Sequence, residues 1–229
     1  MKFVWNLLKK ILVIFFGSTI LAVVLYRYVP VYITPLMVIR TIEQKIDGNP
    51  IKIEHDWVSI DEISQNMVQA VVASEDNLFM SHHGFDFDQI KKAITERNEG
   101  RRKRGASTIS QQTAKNVFLW NGGGWLRKGL EAYFTVLIEL LWGKDRIMEV
   151  YLNSIEMGYG LYGVEATSRE NFRKKARKLT GQESALIAAT LPNPLRFDSA
   201  RPSSYMFKRQ KQILSLMKKI EKVEMGAEK

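Results

Sequence analysis

An apolar run, Val68 to Ala73, leads directly into Ser74-Glu75-Asp76. Carboxylates at the edge of a core lose hydration, and desolvation raises a carboxylate pKa toward the range where it can accept a proton in a reaction. Two histidines, His82 and His83, follow, with Gly84 in position for a tight turn and Asp86 and Asp88 just beyond. The plainer alternative is a helix end followed by a polar loop. A second group is Ser107-Thr-Ile-Ser-Gln-Gln-Thr-Ala-Lys-Asn116. If this stretch is helical throughout, Ser107, Gln111 and Lys115 stack at i, i+4 spacing and Thr108, Gln112 and Asn116 form the neighbouring stripe. Uncharged hydrogen-bonding groups closed by one lysine suit the wall of a cleft for sugar or phosphate; a solvated helix face is the alternative. A third group is Arg127, Lys128 and Glu131, whose simplest reading is an i, i+4 ion pair.

The elements that must hold these residues are mostly helical. Asp61 reads as an N-cap, and Ile63, Met67, Val71 and Val72 recur behind it with helical spacing, so this helix delivers Glu75. Phe87 to Arg97 reads as a short amphipathic helix, followed by the charge run Glu99-Gly-Arg-Arg-Lys-Arg-Gly105, either a solvated loop or a contact for anionic lipid or phosphate. Asn121-Gly-Gly-Gly124 breaks the chain before a helix that begins near Trp125. Its apolar continuation, Tyr133 to Trp142, is too short to span a bilayer and contains Glu139; it is a core helix or a surface dipping into a membrane. Lys144 to Ser154 reads as a helix. The glycines of Gly158-Tyr-Gly-Leu-Tyr-Gly163 mark a tight turn or close backbone approach, without the strand and spacing of a dinucleotide site. Thr180-Gly-Gln-Glu183 is a capping box opening a helix over Ser184–Leu191, which Pro192 and Pro194 stop. A basic amphipathic helix follows from Ser203. Few stretches alternate with period two, so the domain is expected to be mainly α.

The chain has 229 residues and a net charge of +10, from 34 Lys+Arg against 24 Asp+Glu, which favours anionic partners. It has no cysteine, which excludes disulfides, thiolate catalysis and cysteine-ligated metals. Lys2, Lys9 and Lys10 precede an apolar stretch from Ile11 to Tyr26. With its flanks it is long enough to span a bilayer, and Trp5, Tyr26, Tyr28 and Tyr32 fall at interfacial positions. A cleaved signal peptide is the alternative, but there is no convincing small-x-small cleavage site and the apolar stretch is long for one. The expected organisation is a cytoplasmic tail and anchor over 1–33, a connector over 34–57 and a catalytic domain over 58–229.

Taken in order, Glu75-Asp-Asn-Leu-Phe79 with His83-Gly-Phe-Asp86, Gly105-Ala-Ser-Thr-Ile-Ser-Gln-Gln112 with Lys115-Asn116, Arg127-Lys-Gly-Leu-Glu131, Lys144 to Asn153 with Gly158 and Tyr162-Gly-Val-Glu-Ala166, and Ser184 to Pro194 resemble the peptidoglycan glycosyltransferases of family 51. The resemblance is strongest to the monofunctional, membrane-anchored members and covers roughly residues 58–200. Two departures are small: Ser110 stands where the family has threonine, and Asn171-Phe172 replaces an aromatic pair. Ser215-Leu-Met-Lys218 has the spacing of a transpeptidase motif, but no Lys-Thr-Gly follows, and it reads as one face of the last helix.

The resemblance implies a lysozyme-like, mainly α glycosyltransferase domain behind one transmembrane helix, in the inner membrane with its catalytic domain outside. It implies polymerisation of lipid II by attack of a sugar 4-hydroxyl on an anomeric carbon, with inversion and an undecaprenyl pyrophosphate leaving group. Glu75 matches the family's general base and Glu131 its second glutamate. Asp76, Phe79, His83, Ser107, Thr108, Gln111, Gln112, Lys115, Asn116, Arg127 and Lys128 match substrate-binding positions. No metal ligands and no certain cofactor are implied, with a divalent metal such as Mg at the pyrophosphate left open. The implied partners are lipid II, the growing lipid-linked glycan chain, the membrane and cell-division or elongation proteins, with no nucleic acid. A lysozyme-type glycan-cleaving enzyme would not need the cations Lys115, Arg127 and Lys128. A non-catalytic membrane-tethered binding module would leave the joint presence of Glu75, Glu131 and the Gln-Gln face unexplained.

Overall fold

The computed structural model describes residues 1–100 and 105–226 of the chain. The basic run Arg101 to Arg104 therefore lies outside the described residues. Among the described residues, ten α-helices and three short strands follow one another. The first helix, α1 (Lys2–Tyr26), is 25 residues long and apolar enough to cross a membrane, with little of its surface buried against the rest of the chain. Its last part docks on the domain. Thr19 and Tyr133 share a hydroxyl–hydroxyl hydrogen bond of 2.8 Å, and Trp142 Nε1 donates to the Val23 carbonyl at 2.8 Å.

Residues 34–57, expected as a connector, are part of the fold. Helix α2 (Pro35–Ile46) is capped by Thr34 and starts on a proline, which fits the first turn because no amide donor is needed there. Strand β1 (Glu54–His55) then pairs in parallel with β3 (Leu161–Tyr162), which pairs antiparallel with β2 (Glu156–Gly158). The glycine-rich run is thus the turn of a hairpin. Gly163 takes φ +80°, and a Cβ there would run into the carbonyl of Asn153, so close backbone approach is the reason for that glycine.

The core is built around α3 (Gln65–Glu75), which buries Met67, Val68, Ala70, Val71, Val72 and Ala73. Each large side chain among them contributes roughly 1.5–3 kcal/mol by leaving water. The N-cap is Ser64, whose side chain accepts from Asn66 N, and not Asp61. Asp61 instead lies in a short 3₁₀ turn, Ile60–Glu62, that buries Ile60 ahead of the helix. Helices α4 (Phe87–Asn98), α5 (Ile109–Phe118), α6 (Trp125–Leu141) and α7 (Lys144–Ser154) follow. α5 packs between α6 and α7, and Phe118 stacks on Phe134 at 4.5 Å with near-parallel rings.

Helix α6 packs into the core on one side and against α1 on another. Phe134, Thr135 and Ile138 face the core, while Tyr133 meets Phe15, Phe16 and Thr19 of α1. Thr19 lies roughly 10 Å along α1 from its exit at Tyr26, so the middle of α6 runs beside the apolar part of that helix. Val136 and Leu140 stay exposed. The chain continues through α8 (Val164–Phe172) to α9 (Gly181–Ala188) and ends in α10 (Ser204–Met217). The capping box at Thr180 and Glu183 is formed, but α9 begins at Gly181, a few residues before the expected start. Helices α9 and α10 close over α3, with Met206 and Ile213 of α10 buried.

Candidate active site

The two adjacent carboxylates have separate tasks. Glu75 is the last residue of α3, and its half-buried side chain lines an open cleft of about 220 Å³. Asp76 has left the helix and turns inward. Its carboxylate pairs with His82 Nε2 at 2.9 Å and accepts the amide of Ile109, also at 2.9 Å. That amide begins α5, so Asp76 places a negative charge at a helix N-terminus. His82 Nδ1 accepts from Gly84 N at 3.1 Å, which leaves the ring proton on Nε2 facing Asp76. Gly84 O then accepts from Thr108 Oγ1 at 2.7 Å. The loop after Glu75 is thereby fastened to the start of α5.

This fastening changes the expected stripe of polar residues. α5 starts at Ile109 with Thr108 as N-cap, and Thr108 and Gln111 form a capping box. Ser107 precedes the helix and does not stack on Gln111 within it. Thr108 and Gln111 are buried and hold the helix start, and Asn116 is buried within the core side of α5. Thr108 still lines the cleft with Ser107 and Asp76, while two other expected substrate contacts lie elsewhere. Phe79 is fully buried, with Lys144 Nζ 4.6 Å from its ring centre, because it anchors the loop to the core. His83 is exposed and does not line the cleft; its neighbour His82 takes the inward position.

Gln112 and Lys115 remain directed to the site. Gln112 Nε2 donates to Glu75 Oε2 at 3.1 Å, and Gln112 Oε1 accepts from the Tyr151 hydroxyl at 3.1 Å. Tyr151 is wholly buried, and burial together with Glu75 and Asp76 raises its pKa well above the usual value, so it keeps its proton and donates. Burial also raises the Glu75 pKa, opposed by the Gln112 hydrogen bond and by Arg209. Arg209, on α10, lines the same cleft with Ser107, Leu216 and Ile220. Sequence spacing gave no signal for it, because more than a hundred positions separate it from Glu75.

One turn further along α5 stands the cationic group. Glu131 is 3% exposed, accepts from Arg127 NH1 at 2.8 Å and also pairs with Lys128. Burial lowers the Lys115 pKa; Glu131 opposes this, and Arg127, Lys128 and Arg40 reinforce it. Arg40 reaches this neighbourhood from α2 and also pairs with the buried Glu156 at 3.1 Å. The buried Nε of Arg127 has no hydrogen-bond partner among the described residues. Both oxygens of Glu131 are engaged by cations, and the groups around it are positive. That donor set does not fit a divalent metal held by protein side chains. Among the described residues no group of three His, Cys, Asp or Glu is placed to hold one.

A half-buried carboxylate at a cleft wall, bonded to Gln112 one turn of α5 before Lys115, suits proton removal from a hydroxyl coupled to departure of an anionic group. That is the layout of a group-transfer enzyme, and the comparisons with known proteins agree. Residues 43–218 match the transglycosylase family, and the chain belongs to it. It is 60% identical over 214 residues to a protein of Bacteroides thetaiotaomicron named biosynthetic peptidoglycan transglycosylase, covering 93% of this chain and 86% of that one. Proteins of the same name from Bdellovibrio bacteriovorus and Caulobacter vibrioides are 52% and 49% identical over 215 and 208 residues. Those alignments cover 92% and 91% of this chain and 86% and 88% of the relatives.

Proposed function

We propose that this enzyme is a peptidoglycan glycosyltransferase that polymerises lipid II, with Glu75 as general base. The acceptor 4-hydroxyl gives its proton to Glu75 Oε as its oxygen bonds to the donor's anomeric carbon. The bond from that carbon to the pyrophosphate breaks on the opposite face, so configuration inverts. A hydroxyl is a weak nucleophile at neutral pH, and a carboxylate whose pKa burial has raised accepts its proton more readily than an ordinary one. The pyrophosphate needs positive charge as it departs rather than a general acid, and Lys115, Arg127 and Lys128 would supply it. Glu131 holds Arg127 and Lys128 in place and offsets their mutual repulsion. Gln112 orients Glu75, and Ser107 and Arg209 line the space in front of it.

The observation that supports this reading is the spacing of Gln112, which bonds Glu75, and Lys115, which stands near Glu131, Arg127 and Lys128, within one turn of α5. The substrate's long lipid accounts for α1 as a single-pass anchor. Lys2, Lys9 and Lys10 would hold its N-terminus in the cytoplasm and leave the domain outside the inner membrane. The test is polymerisation of purified lipid II by the wild type and by Glu75→Gln of matched stability. Glycan chains from the wild type, and a loss of at least about 10²-fold in the variant, are expected. A wild type that only cuts preformed glycan would overturn the reading in favour of a lysozyme-type hydrolase.

A further inference from the structure

Arg146 lies outside the cleft, yet it joins the end of the membrane helix to the helices that carry the site. Its Nε and NH2 donate to the Tyr26 carbonyl at 3.0 and 2.8 Å, and NH2 also reaches the carbonyl of Val29. Tyr26 is the last residue of α1, so its carbonyl has no partner within the helix and sits at the negative end of the helix dipole. A guanidinium there makes charge-assisted bonds, which strengthen in the low dielectric beside a bilayer. On its other side Arg146 pairs with Glu149, whose second oxygen accepts from Ile60 N at 2.8 Å, and its guanidinium lies 5.1 Å from the ring centre of Trp57.

The same last turn of α1 is held from two more directions. Trp142, at the end of α6, donates to Val23 O, and the Tyr26 ring packs 6.0 Å from Phe118 at the end of α5. The three gripping residues sit on or end helices α5, α6 and α7, and those helices carry Gln112 and Lys115, Glu131, and Tyr151 respectively. Anchor and active site therefore form one mechanical unit with no intervening tether.

We propose that Arg146 is a positioning residue that clamps the exit of the membrane helix to the catalytic helices, fixing the height and tilt of the Glu75 cleft above the bilayer. A substrate held by its own lipid presents its pyrophosphate at one depth, so a cleft at fixed height meets it without a search over orientations. The role rests on the lipid II reading given above; the clamp itself does not.

The test compares wild type, Arg146→Ala and Arg146→Lys in phosphatidylethanolamine–phosphatidylglycerol vesicles and in detergent micelles, with lipid II as substrate. The chain has no cysteine, so Leu140→Cys, at an exposed position on α6, carries a single fluorophore whose depth is read by spin-labelled lipids. For Arg146→Ala the expected loss is about tenfold in vesicles and less than about twofold in micelles, the scale of one charge-assisted bond felt only where the bilayer fixes the substrate. The quenching profile should broaden or move, and Arg146→Lys should recover part of both. Equal losses in vesicles and micelles with an unchanged profile would overturn the proposal, as would a profile and vesicle rate that match the wild type. If Arg146→Ala does not fold, Trp142→Phe, which removes the bond to Val23 and part of the indole's packing but keeps an aromatic ring there, is read in the same two ways. A wild type that makes no polymer would sink the lipid II reading, while the depth profiles would still decide the clamp.

Discussion

Gln112 stands between Glu75 and Tyr151, donating to the carboxylate at 3.1 Å and accepting from the phenol at 3.1 Å. An amide turned over would set its oxygen against the Glu75 carboxylate, so the observed orientation points its N–H at that carboxylate and its oxygen at the phenol's proton. Glu75 therefore faces a fixed N–H donor. Removing the Tyr151 hydroxyl frees the amide to rotate. Tyr151→Phe is expected to lower the polymerisation rate by up to about tenfold, the upper worth of one neutral hydrogen bond. Steady-state kinetics should show the loss in kcat more than in KM; an unchanged kcat would mean that the amide is held by something else.

The raised pKa of Glu75 makes a second prediction whose sign can be worked out. A carboxyl whose folded pKa lies above its unfolded value adds stability that is complete below the unfolded pKa and is lost as pH rises through the folded pKa. Glu75→Gln should thus be neutral for stability in acid and stabilising at neutral pH, while activity falls. Thermal melts of both proteins from acid to neutral pH check this. A variant that melts lower than wild type at neutral pH would show that the charge is not desolvated.

Much of this arrangement could be read from the sequence, and the part that could not has a physical reason. Glu75 at the end of a buried helix and Arg127–Glu131 at i, i+4 spacing are local patterns, and local patterns survive folding. The capping box at Thr180 was read from its spacing. The same spacing at Thr108-x-x-Gln111 was present too, but a stripe of cleft residues competed for those side chains, and the helix start took them. Arg209 and Arg40 carried no signal, because α10 and α2 are brought to the site only by tertiary packing. His82 rather than His83 faces inward because of the turn at Gly84, a choice that alternation of residue types does not fix.

That turn supplies a third prediction. Gly84 has φ +91°, and an added Cβ would sit 2.8 Å from Thr135 Cγ2 and 3.0 Å from Glu139 Cγ. Gly84→Ala combines a conformation unfavourable to side chains with a clash against α6. It is expected to cost about 1–3 kcal/mol, seen as a lower melting temperature. The loop it belongs to holds Asp76, His82 and Thr108, so activity per folded molecule should fall as well. Full activity with a lowered melting temperature would separate the loop from the site.

The cations give a fourth. Lys115→Met is expected to lower kcat by about 10²-fold, the usual scale for losing one group that stabilises a departing anion. Burial holds the Lys115 pKa below its ordinary value, so its charge costs stability wherever the folded protein keeps that proton. The variant should therefore melt higher than wild type near neutral pH, and the gain should shrink as pH rises toward the ordinary lysine pKa. Single-turnover rates and melts across that range test both parts. A lost rate together with a lowered melting temperature would mean that Lys115 supports the fold.

Arg209 tests how α10 acts on Glu75, the proposed base. It lines the cleft beside Glu75 and, after Gln112, is the strongest influence holding the carboxylate's pKa down against burial. Removing it leaves desolvation less opposed, so the Glu75 pKa should rise further. For Arg209→Ala the ascending limb of the kcat/KM–pH profile should move to higher pH, with less carboxylate available at neutral pH. A side chain that contacts substrate would also raise KM at every pH, whereas one that acts only through the field at Glu75 would leave the alkaline plateau intact. Arg209→Lys keeps the charge and should restore the position of the limb even if KM stays high. An unmoved limb in Arg209→Ala would show that solvent already screens this charge from Glu75, leaving Gln112 to set the base's pKa against burial.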